Sequence, residues 1–91
     1  MSKQTELKIT EIMSGIEKML IDKNRAYGDS ALDPVKVFSK ESTVEQLYVR
    51  IDDKLSRVQR GHEYPGDDTI IDLVGYLVLL LIAKDKNERV Q

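Results

Sequence analysis

Apolar side chains recur at helical spacing in three stretches of the chain. In the first, Ile9, Ile12, Met13, Ile16 and Leu20 follow the 3.6-residue period and predict a helix over residues 5–25. In the second, Val44, Leu47, Tyr48, Ile51, Leu55 and Val58 form one stripe. Ser42-Thr43-Val44-Glu45 reads as a capping box ahead of that stripe, with Ser42 and Glu45 satisfying each other's amides, and Gly61 reads as a C-terminal stop. The expected helix covers 42–60. The third stretch, residues 73–83, is apolar all round. It predicts a helix over 68–86, capped by Asp67 or Asp68, with the tail 87–91 expected to fray.

The connections carry turn-forming residues. Tyr27-Gly28-Asp29-Ser30 and Asp33-Pro34 mark a loop. Val35-Lys36-Val37-Phe38 is expected to form a single helical turn that plugs the core with Phe38, and His62-Glu63-Tyr64-Pro65-Gly66 a tight link. The expected fold is all-α: one domain over 1–91, an antiparallel bundle of three main helices with a short helical turn between the first two. A helix that is apolar on every side needs cover on every side. Two partner helices are too few, so oligomerisation is expected to complete the bundle. A dimer burying Leu77, Leu80 and Leu81 is the simplest such homo-oligomer.

The apolar segment is eleven residues long and lies between Asp72 and Lys84-Asp85-Lys86, whereas a bilayer needs about 20. It therefore reads as a core helix, with no membrane role. Aromatic content is 5% without Trp, so aliphatic side chains must fill the core. A net charge of −2 provides no basic field for a DNA or RNA duplex. The absence of cysteine excludes disulfides and thiolate metal sites and suits a reducing compartment. The polar N-terminus does not read as a secretory signal, and a cytoplasmic location in a bacterial or infected host cell is expected. With His62 as the single histidine, zinc is not expected.

Candidate chemistry lies on the helix flanks. On the second helix, Glu45, Asp52 and Gln59 form an acidic edge, and Arg50, Lys54 and Arg57 a basic one. The plain reading is of solvated flanks linked by pairs about one turn apart, Arg50 with Asp53 among them. The sharper reading has Glu45 and Asp52 holding a hard cation while the basic edge meets phosphate oxygens. On the third helix, Asp68 and Asp72 share a face. Asp68 has a ready role as a cap, but Asp72 opens a strongly apolar segment and should be paired or coordinating. Its candidate partners are Arg50 or Arg57; the alternative is Mg²⁺ held by oxygen ligands. Gly75, one turn on, suggests that something approaches the backbone closely. Near the first loop, Lys23 and Arg25 are placed to contact phosphate and Tyr27 to stack on a base.

Arg25-Ala26-Tyr27-Gly28-Asp29, the run Val49-Arg50-Ile51-Asp52-Asp53-Lys54-Leu55-Ser56-Arg57, and Asp68-Thr69-Ile70-Ile71-Asp72-Leu73-Val74-Gly75-Tyr76 together give the chain a likeness over roughly residues 20 to 83. It resembles small phage-type proteins described as nucleotide-modification-associated, and more distantly is similar to MazG-like all-α NTP pyrophosphohydrolases. The resemblance implies an oligomeric all-α protein that binds Mg²⁺ through helix-borne carboxylates, here Glu45, Asp52, Asp68 and Asp72, and grips a nucleotide with basic residues. The pyrophosphohydrolases use E-x-x-E and E-x-x-D pairs; the spacings here are i, i+7 and i, i+4. Three functions stay open: Mg²⁺-dependent nucleotide hydrolysis, binding or sequestration of a nucleotide without hydrolysis, and helical assembly without a small ligand.

Overall fold

The computed structural model describes residues 2–33, 41–61 and 68–90. It is all-α, with helices α1 (Lys3–Tyr27), α2 (Thr43–Arg60) and α3 (Thr69–Val90). The expected turn at Val35–Phe38 and the link at His62–Gly66 lie outside the described residues.

Each helix begins at a side-chain cap. The Ser2 hydroxyl accepts from the Thr5 amide, the Ser42 hydroxyl from the Glu45 amide and the Asp68 carboxylate from the Ile71 amide, each at 3.1 Å. Such caps satisfy donors that have no partner within the first turn. Gly28 and Gly61 end α1 and α2 in the left-handed conformation, at φ 59° and 70°, where a Cβ is penalised. α1 starts at Lys3, two residues before the expected position, and ends at Tyr27, two residues after it. α3 also runs past the expected end at Lys86 to Val90. Neither Gly nor Pro interrupts that tail, so the backbone ladder continues.

α2 and α3 pack along much of their length and run antiparallel. Tyr48 near the start of α2 carries the Lys84 ammonium 5.7 Å from its ring centre, while Lys54 reaches Asp72 near the start of α3. α1 touches α3 over a smaller patch and, among the described residues, does not approach the α2 backbone. Gly75 makes the crossing possible: a Cβ there would stand 3.0 Å from Leu20 Cδ2 and 3.6 Å from Met19 Cε. The close approach suggested by Gly75 is therefore the side chain of Leu20.

Among the described residues, Ile16, Leu47, Ile51 and Ala83 are the buried apolar side chains, and Thr69 is buried at the first turn of α3. Among the described residues, the all-round cover expected for α3 is incomplete: Ile70, Leu77 and Leu81 are exposed. The stripe on α1 is split in the same way, with Ile16 buried while Ile9, Ile12 and Met13 are exposed. Among the described residues, no helix is long and apolar enough to cross a membrane.

Candidate functional site

A cleft of about 460 Å³ opens between the C-terminal half of α1, the turn after it, the first half of α2 and the first half of α3. Its floor is apolar, formed by Met19, Leu20, Leu47, Gly75 and Leu79. Its polar groups come from every side: Lys23, Asn24, Tyr27 and Ser30 from α1 and its turn, Gln46 and Arg50 from α2, Asp72 and Tyr76 from α3. Apolar walls with a few convergent polar groups are the usual make-up of a small-molecule site.

The turn holds the α1 side of the cleft in place. Gly28 and Asp29 are consecutive left-handed residues, the latter at φ 61°. Both amides reach the Asn24 carbonyl, that of Asp29 at 3.4 Å, and the Ser30 amide donates to the Tyr27 carbonyl at 3.3 Å. The Asp29 carbonyl then accepts from the Leu32 and Asp33 amides at 3.0 and 2.8 Å. The Leu32 carbonyl accepts from the Thr43 hydroxyl at 3.4 Å, which ties the turn to the start of α2. Gln46 is held in turn, its side-chain Nε2 donating to the Glu41 carbonyl at 3.1 Å.

Charge in the cleft centres on Asp72. Its carboxylate lies 3.4 Å from the Lys54 ammonium and 3.8 Å from that of Lys23. The expected partners Arg50 and Arg57 are therefore replaced by two lysines, whose flexible stems reach across the helix interfaces. Arg57 instead meets Asp53, one turn back on α2, at 3.5 Å, so Asp53 pairs with Arg57 where Arg50 was expected. With Asp72 balanced by Lys54, Lys23 and Arg50 leave the cleft with a surplus of positive charge.

The structure thus brings Lys23, Tyr27, Arg50 and Asp72 to one cleft, with Lys54 behind Asp72. Arg25 falls elsewhere: two residues from Lys23 is about 200° around a helix. It lines a second, apolar groove on the other side of α1 with Met13, Ile16, Ile21, Val78 and Ile82. Glu45, Asp52 and Asp68 are exposed and do not line the cleft, and Asp68 caps α3. Among the described residues, no three acidic or histidine side chains come together as a metal site. These residues do not make a preassembled multi-carboxylate Mg²⁺ centre.

Asn24, Gln46 and Tyr76 were not singled out from the sequence, although a signal was present. Gln46 is four residues before Arg50, and Tyr76 four after Asp72, so each shares a helix face with a residue that was. Comparison with family models, curated proteins and solved structures finds no match to this chain.

Proposed function

We propose that the cleft binds a nucleotide, with Lys23 and Arg50 meeting its phosphate oxygens and Tyr27 stacking on its base. The observation that carries this reading is the convergence of two cations, two tyrosines and two side-chain amides on one apolar-floored cleft. A phosphate rewards charge-assisted hydrogen bonds from guanidinium and ammonium groups. An aromatic ring offers a face to any base, and the amides of Asn24 and Gln46 offer both donors and acceptors to its edge. Lys23 lies 3.8 Å from the Asp72 carboxylate, so a phosphate bound there competes with Asp72 for the ammonium.

Binding without hydrolysis is the form of this reading that the carboxylates support. Hydrolysis through Mg²⁺ requires several oxygen ligands fixed around the ion. Here Asp72 already faces two ammonium groups, and Glu45, Asp52 and Asp68 are dispersed. The test is incubation of the purified protein with a panel of nucleoside mono-, di- and triphosphates, with and without Mg²⁺. Thermal shift reads binding and chromatography reads products. Stabilisation by nucleotides with no new product supports retention; pyrophosphate or inorganic phosphate release that depends on Mg²⁺ would make the protein a hydrolase. No shift with any member of the panel would leave helical assembly without a ligand.

A further inference from the structure

On α3, Ile70, Val74, Leu77 and Leu81 follow one another at steps of four, three and four residues. That alternation is the a/d spacing of a coiled-coil seam, in which each side chain inserts between residues of a facing helix. The seam is bare in the single chain: Ile70 is 52% exposed, Leu77 43% and Leu81 69%, with Val74 half-buried. The opposite face of the helix, with Gly75, Leu79 and Ala83, is the one that meets the rest of the chain.

The chain as a whole exposes more surface than a compact monomer, by an amount of the size that a stable dimer removes. The chain exposes 7467 Å², against about 5,400 Å² for a compact monomer of its mass. Its radius of gyration is 15.1 Å, where a compact domain of this length would have about 12 Å. The excess, roughly 2,000 Å², lies within the area that each partner buries in an obligate dimer, about 1,000–2,500 Å².

We infer that the α3 seam is the interface with a second copy of this chain, packed antiparallel about a two-fold axis between Val74 and Leu77. The register places Ile70 against Leu81 of the partner subunit and Val74 against Leu77 of the partner subunit. A parallel arrangement would continue the seam into Lys84 stacked on Lys84 of the partner subunit, a like-charge layer, and would align the two helix dipoles. The spacing specifies a helix as the occupant, and a net charge of −2 gives no attraction to an anionic lipid surface. Leu80, expected at the interface, is half-buried and lies off this line.

The chain has no cysteine, so single cysteines report the geometry directly. The Ile70→Cys and Leu81→Cys variants are mixed under mild oxidation, with Ile12→Cys on α1 as a comparison. The expected product is the mixed Ile70→Cys/Leu81→Cys disulfide. Ile70→Cys should not link to itself, because eleven residues separate the seam ends, about 16 Å along the helix. Sedimentation of the unmodified protein at micromolar concentration should give the mass of two copies, and Leu81→Asp that of one with helicity retained. Self-linked Ile70→Cys would overturn the antiparallel register. Linkage through Ile12→Cys with none at the seam would move the interface to α1. A monomeric wild type, whether free or floating with phosphatidylcholine vesicles, would overturn the inference altogether.

Discussion

Lys54 and Asp72 meet at 3.4 Å across the α2–α3 interface, with 13% and 21% of their side chains exposed. Removing one partner of a largely buried pair leaves the other charge desolvated without compensation. Asp72→Asn should therefore destabilise the fold by about 1–3 kcal/mol, less than the 3–5 kcal/mol of a fully buried pair because water still reaches both groups. Adding Lys54→Met should restore much of the loss, since an apolar stem replaces the stranded ammonium. Urea denaturation of the four proteins of this cycle gives the coupling directly. If Asp72→Asn is as stable as the wild type or more so, the carboxylate is held at a cost for a ligand, and the pair is not what holds it in place.

Gly15 inside α1 and Gly28 just after it should respond with opposite signs to the same substitution. Gly28 has φ 59°, and an L side chain in that conformation costs about 1–2 kcal/mol. Gly28→Ala should lower stability by about 1 kcal/mol. Gly15 sits inside the helix, and an added Cβ would meet nothing within 4 Å. Gly15→Ala should raise stability by about 0.5–1 kcal/mol, because alanine loses less backbone entropy on folding. Thermal melts of both variants measure the difference, and equal shifts in one direction would mean that the turn after Tyr27 is not left-handed in solution.

The three helices were legible because each carries its own punctuation: Ser42 and Gly61 frame α2, and Asp68 opens α3. The ends of α1 were missed by two residues because the apolar stripe starts at Ile9, well inside the helix that Ser2 caps. Within a helix, the sequence also shows which residues share a face. It does not show how far neighbouring helices are rotated, and that rotation decides which flank of α2 faces the cleft. Arg50 of the basic edge faces it, with Lys54 reaching Asp72 from behind; Glu45 and Asp52 on the other edge do not face it. The same rotation gives Asp72 two lysines where arginines were expected, whereas the separation of Arg25 from Lys23 follows from the period of α1 itself.

Gly75 and Leu20 should behave as a coupled pair. A methyl at position 75 would stand 3.0 Å from Leu20 Cδ2, so α1 must yield by a few tenths of an ångström or the Leu20 rotamer must change. Gly75→Ala should destabilise by about 1–3 kcal/mol through overpacking. In a Leu20→Ala background the obstacle is gone, and Gly75→Ala should then stabilise by about 0.8–1 kcal/mol through helix propensity. Additive effects of the two substitutions would mean that α1 does not cross α3 at this point.

Arg50 provides the most direct probe of the ligand, because it lines the cleft and its side chain is exposed. A hydrogen bond to a charged group contributes about 1.5–3 kcal/mol. Arg50→Gln should thus weaken the binding of a nucleoside phosphate by roughly 10- to 100-fold, since about 1.4 kcal/mol is tenfold in an equilibrium constant. Binding of the corresponding nucleoside, which has no phosphate, should change little, and added salt should weaken the wild type more than the variant. Arg25→Gln is the control: it removes the same charge from the groove on the far side of α1 and should leave both affinities nearly unchanged. Calorimetric titration of the three proteins with a nucleoside and its phosphates separates these contributions. Equal losses for Arg50→Gln and Arg25→Gln would indicate a diffuse effect of net charge, and phosphate recognition in the cleft would have to be abandoned.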